Sequence, residues 1–594
     1  MPLSGRPASP LREAALIFGV VAASPILAAQ ALEQFLGGLG AQVTLRGRVA
    51  LGHFPDVAFP DAPSEGALDD DTLLDGWPSG SGDRLETMQG DFAALGRRDD
   101  CLVARRGAFG GRPLFATSLE DGAVVIASRL VPLASLHRGS LRLNLRYLVS
   151  FIGPASSPSP GTPFQGVWSV PTGGLVRVAP CGTMDTTFPE LQWQATLKGS
   201  DDELARAVHD RLAAAVMRTT STTRHAAVAV SGGIDSSLLL AAAVHCERTR
   251  DGAQVVPVTL AYGGPGDDRP HMRALARYLQ VTPVEVRAFE GAALGGAGLI
   301  VDGQIHALGS ASAGTVLLQK AKASGAEVML MGDGSEWLFD ASPSVLGRFA
   351  WSSPVLAART LRRFENFEQP LAQTLRTVGS AVVWSKFPAF AASLRGLRQR
   401  PPPSWAGPRL RAFCGELAAT PPPALCDQRE RVRRAAFSPY LGQASDQRAR
   451  WEQLGGIRIR YPYLEPEVVE LAARLPMQSL FAGKRERGLL REAMRGIVPE
   501  SVRRRRTKGR PDQAMLEAYE AAGGFQSIRH LADVRELGAL GLVDCDSFRR
   551  EIERFAANPG ADWRDWYSLW RVLAAEEHVQ WFRDFSMAAT GLTR

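Results

Sequence analysis

Hydrophobic and polar positions along the chain fall into two regimes. Between residues 41 and 178, short apolar runs alternate with polar positions at period two. Turn-rich clusters at 78–82 and 156–161 separate them. This pattern predicts strands at 41–49, 102–106, 114–117, 123–127 and 175–178. Beyond residue 200 the pattern changes. Helical stretches at 201–218, 267–279 and 316–324 lie among nearly unbroken apolar runs at 226–230, 255–261, 284–289 and 327–331. Strands that alternate with helices predict a parallel, doubly wound sheet. The chain is therefore expected to be α/β, with a β-rich domain over 1–195 and a second domain over 200–590.

Two apolar stretches stand at the ends. Residues 14–32 carry no charge and follow Arg6 and Arg12. They fit a secretory signal peptide or, better, a buried strand at 16–22 and a helix from Pro25 to Leu39. Pro25 argues against a membrane span. At the other end, Trp566, Trp570, Leu573 and Glu577 recur at helical spacing within 563–582, which predicts a core-packed helix.

Composition narrows the class. At 594 residues the chain is too long for one core. Its net charge of +7 is mild and rests on arginine, since only six lysines occur. No basic motif is interleaved with aromatics, so no nucleic-acid partner is expected. Six scattered cysteines form no CxxC pair, which points away from zinc or a disulfide framework and toward a reducing cytosol.

The candidate chemistry sits at strand ends. Ser231-Gly232-Gly233-Ile234-Asp235-Ser236-Ser237 follows the run at 226–230 and opens a helical pattern. Backbone N–H groups of such a turn and the helix dipole attract an anion. Asp235 inside a phosphate cradle is repulsive unless a cation intervenes, which predicts Mg²⁺. The Gly-Lys-Ser/Thr ending of a Walker A loop is missing. Asp333 and Glu336 follow the run at 327–331 within Gly332-Asp333-Gly334-Ser335-Glu336, at a second strand end. A third stretch runs from Arg487 to Arg491 and through Arg503–Arg506 to Lys508.

The SGGIDSS string resembles the pyrophosphate-binding loop of the ATP pyrophosphatases, among them asparagine synthetases. The strings Gly90-Asp91-Phe92-Ala93, Arg105 with Gly110 to Phe115, Ala127-Ser128-Arg129, Thr162 to Val167 and Pro171 to Gly174 resemble, in order, a class II glutamine amidotransferase domain. That resemblance implies an Ntn-hydrolase-like αββα fold ahead of an adenine nucleotide α-hydrolase-like synthetase domain. The chain departs from the family in three places. The family's N-terminal Cys nucleophile is missing, because residue 2 is Pro and the first cysteine is Cys101, so glutamine hydrolysis is not expected. Trp337 stands where another acid is usual, and Arg458 in Gly456–Glu465 replaces a Glu.

The Arg-Arg-Thr-Lys-Gly string and the aromatic C-terminal helix look like lasso peptide cyclases, macrolactam synthetases of the same superfamily. The resemblance implies ATP and Mg²⁺ as cofactors. Ser231, Gly232, Gly233, Ser236 and Ser237 would cradle pyrophosphate, and Asp235 and Glu336 would hold the metal. Lys508 would stabilise charge, with Arg487 in a lesser role, and Asp333 would position or deprotonate an amine. The backbone of Ala229, Leu260 and Gly332 would contact adenosine. Residues 338–450, with Pro403-Ser404-Trp405, would cover the acceptor pocket. The implied partners are a linear core peptide, a leader peptidase and a leader-binding protein, in the cytoplasm. An ammonia-dependent asparagine synthetase, a β-lactam-synthetase-like enzyme and an inactive scaffold are the alternatives.

Overall fold

The computed structural model describes residues 17–36, 41–53, 66–69, 72–79, 85, 88–137, 140–153, 161–191, 193–249, 252–261, 267–287, 300, 302–305, 310–352, 354–363, 371–386, 402–417, 427–506, 519–520, 523–557 and 563–589. The first part builds two antiparallel six-stranded sheets. One runs Val167–Ser169, Phe115–Ser118, Val124–Ala127, Ile17–Val21, Val49–His53, Gln42–Arg46 across the sheet. The other runs Met184–Thr187, Leu175–Val178, Cys101–Arg106, Gln89–Arg98, Thr72–Ser79, Gly66–Asp69.

Central strands such as Ile17–Val21 and Cys101–Arg106 are buried throughout, edge strands such as Gln42–Arg46 and Met184–Thr187 are exposed, and the two sheets meet face to face. Ile17, Val21, Val49 and Leu51 of the first sheet pack against Leu95, Leu102, Ala104 and Val176 of the second. Gly19 is where the sheets come closest: a Cβ there would stand 2.7 Å from Leu102 Cδ1. Helices Pro25–Leu36 and Leu130–Ser135 cover the outer face of the first sheet through Ala28, Ala31, Phe35, Leu130 and Leu133. From Ile17 onward, the uncharged stretch is thus an inner strand, paired on both sides, and its packing helix.

The second part builds five parallel strands in the order Val284–Arg287, Gln254–Ala261, His225–Ala229, Val328–Leu330, Arg458–Arg460. Helices Asp201–Thr219, Ile234–Thr249 and Arg269–Leu279 pack on one face and Ser310–Ala323 on the other, so the sheet is doubly wound. Helix Asp201–Thr219 starts on a capping box between Ser200 and Glu203. Chain order reverses direction between His225–Ala229 and Val328–Leu330, and ligands bind at such a switch point.

Two expectations need correction. The predicted single strand at 41–49 is a hairpin of Gln42–Arg46 and Val49–His53. Gly47 turns the chain at φ +62°, a conformation that costs glycine little. Arg458–Arg460, expected only as a motif, is the fifth strand of the parallel sheet. Three residues with buried arginines at both ends show no strand periodicity.

Polar contacts weld the two parts together. Buried Arg106 donates to the Gly442 carbonyl at 3.0 Å and to Asp446 Oδ1 at 2.6 Å. Arg112 is ion-paired with Glu452. Asp302 accepts the N–H groups of Leu130 and Val131 at 2.7 and 2.8 Å. Arg458, in the place of the expected Glu, faces this junction and donates to Glu452 at 3.1 Å. Trp405 also lies away from the nucleotide loop, packed edge-on against Phe548 in a core shared with helix Leu145–Ile152.

Candidate active site

Strand His225–Ala229 ends in the serine–glycine turn, and helix Ile234–Thr249 begins at its far side. Gly232 has φ +69°, and a Cβ there would stand 2.9 Å from Met272 N, so only glycine fits. The loop is organised by its own hydroxyls: Ser231 N–H donates to Ser236 Oγ at 3.2 Å, and Gly233 N–H to Ser231 Oγ at 3.4 Å. The second loop, at the end of Val328–Leu330, touches the first. A Cβ on Gly332 would lie 3.3 Å from Ser236 N. The switch point therefore brings the two acidic loops together.

Between them lies a cavity of about 560 Å³. Ser231, Gly233, Asp235 and Ser236 form one wall, and Gly332, Asp333 and Glu336 another. Ala229, Val258, Leu260 and Met331 give an apolar side, and Arg487 enters from the segment before helix Gly488–Ala493. Two expected residues are not on the wall. Ser237 is fully buried one turn into the helix, and Gly232 turns its carbonyl to Arg505 at 3.2 Å. Lys508 lies outside the described residues.

Charge inside the cavity is paired. Arg487, at φ +53°, is bonded to Asp235 Oδ2. Burial alone would lower the guanidinium's affinity for its proton; Asp235, with Asp340 and Glu336, outweighs that and raises it. Tyr463 donates to the Asp235 carbonyl at 2.9 Å, and burial pushes its phenol well up. Arg448 donates to Asp333 Oδ1 at 2.7 Å. Arg505 is ion-paired with Asp268 while holding the loop carbonyl. The sequence marked Arg505 only as part of a basic run, and nothing in it singled out Arg448 or Tyr463.

The residues present fit the expected groups. Asp235 Oδ1 is buried and, among the described residues, has no hydrogen-bond partner. A buried carboxylate oxygen so placed suits a hard cation. No three His, Cys, Asp or Glu side chains gather as a metal cage among the described residues. Asp235 and Glu336, both on the cavity wall, could supply the one or two carboxylates that Mg²⁺ takes beside phosphate oxygens and water. The helix N-terminus beside an apolar wall suits a nucleotide, with phosphates at one end and a base at the other.

A doubly wound sheet with a nucleotide-shaped cavity at its switch point, joined to a stacked two-sheet unit, is the plan of a two-domain ligase. The model of the asparagine synthase family matches residues 207–581, and that of a glutamine amidotransferase domain matches residues 64–188. The chain belongs to the asparagine synthase family, and it is an ATP-dependent, amide-forming ligase. No curated protein matches it. Among solved structures, it is similar to glutamine phosphoribosylpyrophosphate amidotransferase from B. subtilis complexed with ADP and GMP. The identity is 9%, over 53% of this chain and 81% of that one, at a TM-score of 0.17. It is also similar to an allosteric regulatory enzyme of purine biosynthesis at 11% identity, over 54% and 83%, at a TM-score of 0.18. No helix among the described residues is long and apolar enough to cross a membrane.

Proposed function

We propose that this ligase is a lasso peptide macrolactam synthetase. It adenylates an Asp or Glu side chain of a linear core peptide, releasing pyrophosphate. The peptide's own N-terminal amine then displaces AMP, closing an isopeptide ring. The observation that carries this reading is the state of the amidotransferase-like part. Its two cysteines are Cys101, buried within strand Cys101–Arg106, and Cys181 in a turn. Both are mid-chain, so neither pairs a thiol with a terminal amine. A nucleophile carried by the substrate needs no glutamine-derived ammonia.

The residues divide the work. The Ser231–Ser236 turn and the helix N-terminus bind phosphates, and the apolar side holds the base. Asp235 and Glu336 would hold Mg²⁺, which when bound offsets phosphate charge. Arg487 and Lys508 supply fixed positive charge where the transition state gains negative charge. Asp333 receives the incoming amine. Ring closure also needs both ends of the peptide held together, which is a demand of proximity. The peptide would reach the enzyme through a leader peptidase and a leader-binding protein, in the cytoplasm where ATP is available.

The test is direct. Leader-free linear peptide, ATP and Mg²⁺ are incubated with the enzyme. The expected product has lost one water, with AMP and pyrophosphate released, and Asp235→Ala abolishes it. Amide formation from free aspartate and ammonium, with no ring closure, would sink the proposal in favour of an ammonia-dependent asparagine synthetase.

A further inference from the structure

Arg448 lies on helix Pro439–Gly455, whose other polar side chains largely serve the domain junction. Its side chain, 13% exposed, reaches Asp333, whose carboxylate lines the cavity. Three neighbours hold it. Its guanidinium lies over the Tyr461 ring at 5.0 Å and the Trp337 ring at 5.9 Å. Its Nη2 donates to Asp333 Oδ1 at 2.7 Å. A guanidinium packed against two aromatic rings has little freedom left, so the carboxylate it binds has little too. Both rings come from the two loops that end parallel strands: Trp337 follows the Asp333–Glu336 turn, and Tyr461 follows Arg458–Arg460.

Asp333 needs such a hold. Its backbone sits between Gly332 and Gly334, and Gly334 has φ +99°. Flanking glycines fix no side chain. The carboxylate is a third exposed and faces the cavity. Arg448 is the cation paired with it among the described residues. Trp337, which replaces an expected acid, thereby has a physical use as one wall of the Arg448 site.

The geometry points to Arg448 as a positioning residue for the amine-accepting step: it fixes the Asp333 carboxylate at the acceptor end of the cavity. This rests on the reading of Asp333 as the group that meets the amine, and it holds for any amine the ligase uses. It assigns Arg448 no part in activating the acid, because Arg487, Arg505 and the serine–glycine turn serve that end.

The experiment separates the two half-reactions. Acid-dependent ATP–pyrophosphate exchange reports activation, and amide product reports attack by the amine. In Arg448→Met, exchange is expected within about twofold of wild type, while product formation falls roughly 10²-fold, the usual scale for one misplaced group. Arg448→Lys, which keeps the charge and one donor, recovers part of that loss. Arg448→Met combined with Asp333→Asn is no slower than Asp333→Asn alone. Thermal melting checks that each variant is folded. Equal loss of both half-reactions, or an unchanged product rate, would overturn the assignment. If wild type fails on the peptide yet makes another amide, the macrolactam reading fails, and the same variants are then judged on that amide.

Discussion

Arg487 and Asp235 lie 252 positions apart and are ion-paired across the floor of the nucleotide cavity. The pair sets two charges where phosphate and metal would meet. Arg487→Met should reduce acid-dependent ATP–pyrophosphate exchange on the order of 10²-fold, the scale for losing one fixed charge-stabilising group. Asp235→Asn should raise the Mg²⁺ concentration for half-maximal exchange by about tenfold or more. Arg487→Met should not raise it, because the guanidinium no longer competes for the carboxylate. Mg²⁺ titration of both variants checks this.

Arg505 joins the stretch leading to Lys508 to the serine–glycine turn. Its ion pair with Asp268 is buried, with side chains 6% and 8% exposed. Arg505→Met takes the guanidinium from a buried carboxylate, so a loss of up to about 3–5 kcal/mol in unfolding free energy is expected. The freed Gly232 carbonyl should also raise the KM for ATP. Urea unfolding and ATP titration measure the two effects.

The domain junction should make the parts melt as one. Arg106 and Asp446 are 1% and 9% exposed, and they bridge the two-sheet unit to the helix Pro439–Gly455. Arg106→Met leaves Asp446 unpaired and should cost about 3–5 kcal/mol. Arg106→Met with Asp446→Leu should recover much of that. Calorimetry should show one transition in wild type; two well-separated transitions would contradict a welded junction.

His578 predicts an acid sensitivity. Its ring is fully buried between Phe164 and Trp581, and neither nitrogen has a hydrogen-bond partner among the described residues. Burial first, then Arg450, lowers its pKa from 6.5 to about 3. Below pH 6.5 the unfolded chain takes up a proton that the folded chain refuses. Stability from this group is full above that pH and falls as pH drops toward 3, by at most about 1.4 kcal/mol per pH unit. His578→Phe should flatten that slope between pH 6 and 5, measured by urea unfolding at both values.

Much of the site was legible because its logic is local. A strand, a glycine turn and a helix start are written in consecutive residues, and so is the acid pair after the third strand further on. The grouping of Asp235 with Asp333 and Glu336 was legible too, because parallel strands put their carboxyl ends on one edge. Arg448 and Tyr463 were not, since their partners lie 115 and 228 positions away and no spacing rule links them. Nor was the place of Trp405, which packs into a core with helix Leu145–Ile152 and residues between 519 and 579, far off in sequence.

Residue order was enough for the two-part plan, the doubly wound sheet and the serine–glycine turn. Each depends on periodicity or on neighbours within a few positions. Folding settled which charges face the cavity and which are spent on the junction. Arg448 and Arg450 illustrate this: two positions apart on one helix, they point about 200° apart at 3.6 residues per turn. One holds a cavity carboxylate, and the other is buried at the junction beside His578. Helix geometry separates them, but only the packing of that helix between two domains decides which side is which.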